Sequence, residues 1–325
     1  MVTWLATLTD NYAKILFMPF RLVFMGSPEF ALPSLRELTK KYTLGGVVTQ
    51  PDRPAGRGRT LTPPPIKTLA LELGLPFIQP QKLRQPEAME QLRLWKPDLI
   101  VVAAFGQILR PDVLDLPSFG CINVHASLLP RWRGAAPVQA AILNGDDQTG
   151  ITIIRMDPGV DTGPIINQQA ISILPHDTAG TLAERLAELG ASLLVESLPA
   201  YLNGEIIPQP QDDSQATYAS MLKKEDGILD FTQTADQLAR RVRAFNPWPG
   251  AYTLWQSQIL KIHRARAITP EDQVTPVTPG QLMIYQGMPA IGTAQGLLSL
   301  DELQPAGKKP MPGKVFLQGV RNWNG

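Results

Sequence analysis

The sequence is nearly without cysteine and poor in histidine. Cys121 is the single cysteine among 325 residues, so no internal disulfide can form. His125, His176 and His263 stand in no Cys/His grouping with zinc-ligand spacing, so no metal is expected. A reducing, cytoplasmic setting fits this usage. Net charge is almost absent as well: 30 Lys and Arg face 29 Asp and Glu, which excludes a chain that binds polyanions over its whole surface. No apolar run has the length of a membrane span. The first 19 residues are broken by Asp10, Asn11 and Lys14 and lack a basic start, so they match neither a signal peptide nor a transit peptide. A hydrophobic content of 44% excludes disorder as the main state, and a chain of this length is expected to form two domains.

What is present begins with a short apolar run, Arg21–Met25, followed by Gly26, by Ser27 as an N-cap, by Pro28 at the first helical position and by apolar spacing to Lys40. The pattern predicts strand, tight turn, helix. A second strand is expected over Leu44–Thr49, then a loop rich in Pro, Gly and Arg, then a helix over Ile66–Leu73 stopped by Gly74. Helices over Pro86–Trp95 and Pro137–Leu143, with strands over Leu99–Ala103, Cys121–His125 and Ile151–Met156, continue the alternation. The fold class that follows is α/β, with a Rossmann-like, doubly wound and mainly parallel sheet. Leucine and alanine at helical spacing from Thr178 to Leu202 close this domain.

The stretch after Leu202 is polar and rich in Pro, Gln and Asp, and reads as a linker. Beyond it a helix over Thr234–Phe245 precedes short β-like runs at Tyr252–Trp255, Ile259–Arg264, Gln281–Tyr285 and Ala290–Leu298. These suggest a second, smaller β-barrel of OB-like type. The expected division is an N-terminal extension 1–19, a first domain 20–203, a linker 204–218 and a second domain 219–325. Charge divides in the same way, with 12 Lys and Arg against 8 Asp and Glu from Ala219 onward and 18 against 21 before it, or +4 against −3. The C-terminal third is the expected nucleic-acid face.

The strongest chemical signal is Cys121-Ile-Asn123-Val-His125-Ala-Ser127-Leu128-Leu129-Pro130, a strand running into a turn. Alternation puts Cys121, Asn123 and His125 on one face, and in a doubly wound sheet ligands bind outside the carboxyl ends of the strands, where His125 falls. An amide that donates to an oxyanion beside an imidazole that moves protons suits acyl-type transfer without a serine or cysteine nucleophile. Carboxylates to orient the imidazole are on offer in Met156-Asp157-Pro158-Gly159-Val160-Asp161-Thr162-Gly163. The bland readings are a satisfied core histidine, aspartates that only hold a turn, and a small buried Cys121 rather than a Cys121/His125 nucleophilic pair.

The Asn123-x-His125 strand, Ser127–Pro130, Arg131-Trp132-Arg133-Gly134-Ala135-Ala136-Pro137 and Asp157-x-Gly159-x-Asp161-Thr162-Gly163 together resemble the folate-dependent formyltransferases. Gly26-Ser-Pro-Glu-Phe30, the Gln50–Gly58 loop, Asn246-Pro-Trp-Pro-Gly-Ala251 and Gln304-Pro-Ala-Gly-Lys-Lys309 narrow the resemblance to the branch acting on methionyl-tRNA. It implies Asn123, His125 and Asp161 as the catalytic trio, with Asp157 shaping the loop. Ser127, Leu128, Leu129 and Pro130 would line the folate site, and the cosubstrate would be 10-formyltetrahydrofolate with no metal. It further implies methionyl-initiator tRNA as the partner, no membrane, and a monomer. The loop arginines Arg53, Arg57 and Arg59 become tRNA contacts, Arg57 foremost.

Such chains begin a few residues before the first strand, which makes Met18 an alternative start to Met1. Gly56-x-Gly58 neither follows a strand directly nor opens a helix, so a dinucleotide site is disfavoured. Arg240, Arg241, Arg243, Lys223, Lys224, Lys261, Arg264, Arg266, Lys308 and Lys309 form a candidate phosphate-contacting set, against the alternative of a solvated charged surface. Trp248, between two prolines, reads as a packing anchor. A noncatalytic RNA-binding protein is the competing class; it needs basic surface but no intact trio.

Overall fold

The structure, a computed structural model, describes residues 18–55, 60–268, 277–320 and 322–323. Its contacts divide the chain into two compact units, Met1–Val124 with Leu194–Ile206 and His125–Leu193 with Ile207–Gly325.

In chain order the first unit carries β1 (Met18–Gly26), α1 (Leu32–Lys41), β2 (Tyr42–Val48), the short pair β3 (Arg53–Ala55) and β4 (Thr60–Thr62), α2 (Pro65–Glu72), β5 (Phe77–Ile78), α3 (Pro86–Trp95), β6 (Leu99–Ala103), α4 (Pro111–Leu114) and β7 (Cys121–His125), whose last residue opens the second unit. The sheet is parallel in the order β5-β2-β1-β6-β7. Leu22, Val23, Phe24 and Met25 of β1 and Leu99, Ile100 and Val101 of β6 are all fully buried. Such unbroken apolar runs suit strands covered on both faces. α1 buries Leu35 and Leu38, three residues apart and so on one face of the helix. At Gly46 of β2 an added Cβ would lie 2.4 Å from the Trp95 ring, so the closeness of α3 to the sheet requires glycine there.

The bounds expected for Pro86–Trp95, Leu99–Ala103 and Cys121–His125 coincide with α3, β6 and β7. Of the expected N-terminal extension, residues 1–17 lie outside the described residues, and β1 already begins at Met18. Within the loop after β2, β3 and β4 pair antiparallel, with Arg53 opposite Thr62 and Ala55 opposite Thr60. A short ribbon thus stands on the flanks of a segment whose prolines and glycines suggest no regular structure.

The second unit carries β8 (Arg133–Gly134), α5 (Pro137–Asn144), β9 (Gln148–Arg155), β10 (Ile165–Ser172), the first part of α6 (Ala179–Leu202), β11 (Tyr218–Ala219), α7 (Ala235–Ala244), β12 (Ala251–Trp255), β13 (Gln258–Ile268), β14 (Leu282–Tyr285), β15 (Met288–Gly292), β16 (Leu297–Pro305), β17 (Met311–Pro312) and α8 (Gly313–Gln318). β9 and β10 form an antiparallel pair, and the C-terminal strands form an antiparallel sheet in the order β12-β13-β16-β15-β14 with β17 beside β16. α7 starts at a capping box in which Thr234 Oγ1 accepts from Gln237 N and Gln237 Oε1 accepts from Thr234 N. It buries Leu238 and Val242 in a core shared with Leu260 and Ile262 of β13, Leu298, Leu300 and Leu303 of β16, and Phe316 of α8. A register shift in β13 between Ile262 and Arg264 lets Leu260, Ile262 and Ala265 face that core while Lys261, Arg264 and Arg266 stay exposed.

The run Ala290–Leu298, expected as one strand, is broken in the structure. Gly296 turns the chain at φ +83°, where an added Cβ would lie 2.3 Å from Ile268 O, and β15 and β16 lie on either side of it. Trp248 is not a packing anchor: it is 52% exposed, while Phe245 and Ala251 nearby in the chain are buried at 1% and 2%. No described helix is long and apolar enough to cross a membrane.

Candidate active site

β7 ends at His125, which is buried at the carboxyl end of the strand. Asn123, two residues earlier and half-buried, projects to the same side by alternation. His125 Nε2 lies 3.0 Å from Trp132 O, and Nδ1 lies 3.5 Å from Asp161 Oδ2. Both neighbours are acceptors. A neutral imidazole carries one N–H and serves one of them at a time, whereas the doubly protonated ring serves both. The ring is thus held between a fixed carbonyl and a carboxylate, the arrangement needed to take up a proton without reorienting.

Both partners sit on backbone that side chains rarely adopt. Trp132 has φ +62° and Asp161 φ +53°. Left-handed backbone at a bulky residue such as tryptophan costs about 1–3 kcal/mol and persists only where the surroundings fix it. The surroundings do so: Trp132 N donates to Thr217 Oγ1 at 2.9 Å, and Asp161 Oδ2 accepts from Gly134 N at 2.9 Å. The Asp161 loop is shaped by Asp157, whose Oδ1 accepts from Gly159 N at 3.0 Å and Thr162 Oγ1 at 2.6 Å. That is the job a first aspartate does in a Gly-rich turn.

The turn after β7 is locked from inside. Ser127 is fully buried and its hydroxyl donates to Arg131 O at 2.6 Å. Leu129 N donates to Thr152 Oγ1 at 3.1 Å, Thr152 Oγ1 donates to Ser127 O at 2.6 Å, and Gln168 Nε2 donates to Leu129 O at 3.0 Å. Of Ser127, Leu128, Leu129 and Pro130, only Leu128 and Pro130 keep accessible surface, so Ser127 and Leu129 act by holding the turn. Thr152 and Gln168 belong to no motif of the sequence. The one visible trace was a threonine inside an apolar strand, a buried hydroxyl that must find partners.

Arg131 and Trp132 are tied down as well. Asp146 Oδ1 accepts from Arg131 Nη2 at 2.7 Å, its Oδ2 accepts from Trp132 Nε1 at 2.7 Å, and the guanidinium stacks 4.4 Å from the indole centroid. Burial works against ionising Asp146, but the bonds from Arg131, Trp132 and Asn144 outweigh it and hold its carboxyl below the usual range.

Cys121 is 1% exposed, and burial, aided by the nearby Asp115 charge, pushes its thiol up to about 12. At neutral pH it carries no thiolate, which closes the Cys121/His125 nucleophilic reading. Replacing Cys121 with alanine is expected to leave turnover within about twofold of the wild type, and the native thiol should resist iodoacetamide until the protein unfolds. Rapid labelling of the folded protein with parallel loss of turnover would overturn this.

Among the expected tRNA contacts, Arg53 is exposed and donates to Gln50 Oε1 at 3.0 Å. Arg57 and Arg59 lie outside the described residues. Lys67 pairs with Asp52 at 2.7 Å, and hydrogen bonds from Gln79 and then Lys67 hold the Asp52 carboxyl below its ordinary value. Of the C-terminal set, Lys223, Lys224, Lys261, Arg264, Arg266, Lys308 and Lys309 are exposed. The α7 arginines are engaged within the unit: Arg240 Nε donates to Leu143 O, Arg241 Nη2 to Asp226 O and Arg243 Nη1 to Asp177 O. Burial draws the Arg241 and Arg243 guanidinium groups below their ordinary values. Among the described residues no group of three or more His, Cys, Asp or Glu could hold a metal ion.

Residues 21–198 match the formyl transferase family and residues 221–321 match the formyl transferase C-terminal domain. The chain is 50% identical over 303 residues to a methionyl-tRNA formyltransferase of Chloroflexus aggregans, covering 92% of this chain and 97% of that one. Among solved structures it is similar in fold to HypX from Aquifex aeolicus in complex with tetrahydrofolic acid, with TM-score 0.61, 16% identity, and 92% and 47% of the two chains covered. A methionyl-tRNA formyltransferase from Clostridium thermocellum superposes with TM-score 0.54 at 18% identity over 76% of this chain and 92% of that one. With its polar strand end, its aspartate loop and 50% identity to a methionyl-tRNA formyltransferase over nearly its whole length, the chain belongs to the methionyl-tRNA formyltransferase family.

Proposed function

We propose that the chain moves the formyl group of 10-formyltetrahydrofolate onto the α-amino group of methionyl-initiator tRNA, releasing tetrahydrofolate, with Asn123, His125 and Asp161 as the catalytic groups. The observation that carries the assignment of roles is the His125 ring held between Trp132 O at 3.0 Å and Asp161 Oδ2 at 3.5 Å, on the same strand face as Asn123.

An α-amine with a pKa of about 7.7–8.0 has an appreciable neutral fraction near pH 7, so it attacks the formyl carbon directly. As the new C–N bond forms, the formyl oxygen becomes an oxyanion, and the Asn123 amide and the His125 Nε2–H, shared between Trp132 O and the substrate, stabilise that charge. The proton shed by the amine passes by way of His125 to the folate nitrogen as its bond to the formyl carbon breaks, and Asp161 stabilises the imidazolium. The folate would bind along the turn Ser127, Leu128, Leu129 and Pro130, with contact through Leu128 and Pro130, the two that keep exposed surface.

Arg57, with Arg53 and Arg59, would grip the tRNA; the exposed basic residues of β13 and the Lys308-Lys309 pair would meet its phosphates. We place the domain boundaries at 20–203 and 219–325 with 204–218 between them, and propose that the protein acts as a cytoplasmic monomer.

The purified chain, given 10-formyltetrahydrofolate and methionyl-tRNA, should yield formylmethionyl-tRNA. A noncatalytic RNA-binding protein would bind tRNA in a salt-dependent way and form none. Arginine grips phosphate bidentately or stacks on a base where lysine is a point charge, so Arg57→Lys should already be impaired and Arg57→Ala more so, with folate binding kept. Unchanged tRNA kinetics in Arg57→Ala, or an equal loss of folate binding, would remove Arg57 from the tRNA site.

A further inference from the structure

The polar segment between the two family-matched regions does more than join them. Neither match includes residues 199–220. Gln209 forms a bridge with Ile165, its N–H donating to Ile165 O at 2.8 Å and its carbonyl accepting from Ile165 N at 2.7 Å. Gln211 Nε2 then donates to Asp161 O at 2.8 Å and Gly163 O at 2.7 Å, while its Oε1 accepts from Arg133 Nε at 3.1 Å and Nη2 at 2.8 Å. The amide orientation is forced, because carbonyls only accept and a guanidinium only donates. Both donors and both lone pairs of one side chain are therefore in use. Arg133 is 2% exposed and is also held by Asp213 Oδ1 at 2.7 Å, which makes it a rigid backstop for the glutamine. Farther along the segment, Thr217 Oγ1 accepts from Trp132 N at 2.9 Å, Arg133 N donates to Thr217 O at 2.9 Å, and Tyr218–Ala219 pairs with Arg133–Gly134.

These contacts converge on one ring. Gln211 fixes the main chain of Asp161, the Nδ1 partner of His125, and Thr217 fixes the peptide of Trp132, whose carbonyl is the Nε2 partner. We infer that Gln211 and Thr217 are positioning residues for formyl transfer: the inter-domain segment braces His125 through both ring nitrogens and holds Asp161 and Trp132 in left-handed backbone. The inference rests on the catalytic reading of His125 and Asp161. The segment closes the site on one side of the imidazole through Asp161 and on the other through Trp132, so either contact can be removed separately.

The test uses the full-length protein. Gln211→Leu removes all four side-chain bonds and Thr217→Val removes the hydroxyl at nearly constant volume. Each should lower kcat by about 10–100-fold, with KM for methionyl-tRNA and for 10-formyltetrahydrofolate within about twofold, since a misplacement near 1 Å is felt in the transition state rather than in binding. Thr217→Ser, which restores the acceptor, should recover most of the loss. In an Asp161→Asn background Gln211→Leu should add less than about twofold, because residues acting as one unit are non-additive. Should Gln211→Leu fail to fold, Gln211→Glu keeps the Arg133 contact but sets a carboxylate oxygen against two carbonyls, and the same loss confined to kcat is expected. A folded Gln211→Leu or Gln211→Glu protein with wild-type kcat, a defect confined to KM, or a full multiplicative loss in the double variant would each overturn the inference. Wild-type kcat in Asp161→Asn alone would instead remove the catalytic reading, and the two failures are read from different proteins.

Discussion

Asn123→Ala and Asp161→Asn are each expected to lower kcat for formylmethionyl-tRNA formation by about 100-fold or more, or about 2.7 kcal/mol of transition-state stabilisation, with the fold intact. Asn123 is half-buried at a strand end and Asp161→Asn keeps the side chain's volume, so neither change opens a large apolar cavity. Asp161→Asn still leaves an oxygen for Gly134 N, which now donates to Asp161 Oδ2 at 2.9 Å, while the charge beside Nδ1 disappears. The loss should therefore appear in kcat and leave the denaturation midpoint nearly unmoved. Steady-state kinetics with circular dichroism separates the two, and a near-wild-type kcat in either variant removes that residue from the mechanism.

The second large effect is steric. At Gly163 an added Cβ would lie 1.8 Å from Arg155 O and 3.3 Å from Asp157 N, so Gly163→Ala cannot be accommodated unless backbone moves by more than 1 Å to reach the 3.0 Å that side chains tolerate. The segment that must move carries Asp161, two residues earlier, and the Gly163 carbonyl that accepts from Gln211. Overpacking of this kind costs about 1–3 kcal/mol of stability. A displacement near 1 Å at a proton-handling group costs about 100-fold in rate. A folded Gly163→Ala enzyme with more than half of wild-type kcat would mean that the loop tolerates displacement and that its close fit has no catalytic consequence.

Much of the fold was readable because the informative patterns are local. β6 is an apolar run and β7 a strand of alternating apolar and polar residues, each bounded by turn residues, and α3 begins at a proline, so their bounds needed no tertiary information. β10 escaped notice because it is half exposed and alternates poorly, with Asn167, Gln168 and Gln169 in its middle. β15 and β16 read as one run because no proline or charge falls within Ala290–Leu298, and the turn between them, residues 293–296, is marked only by Thr293, Gln295 and Gly296.

The site divides similarly. Asn123 and His125 stand out from the strand, and Asp157 and Asp161 from the loop, by residue type and spacing. The residues that hold them, Thr152, Gln168, Gln211 and Thr217, bond across 16 to 85 positions, and nothing in a polar, proline-rich stretch marks which glutamine finds a buried arginine. The α7 arginines mislead for the opposite reason. Three arginines on one short helix look like a phosphate face, but amphipathic packing of Leu238 and Val242 turns their side chains onto carbonyls at the edge of the core.

The most direct test of the account is a single-turnover measurement on His125→Ala, with enzyme in excess over methionyl-tRNA and 10-formyltetrahydrofolate saturating. Formyl transfer slower by about 100-fold or more at unchanged affinity for both substrates is expected, because the ring acts on the moving proton and the developing charge rather than in binding. Formyl transfer at the wild-type rate, or a defect that saturating substrate abolishes, would contradict it.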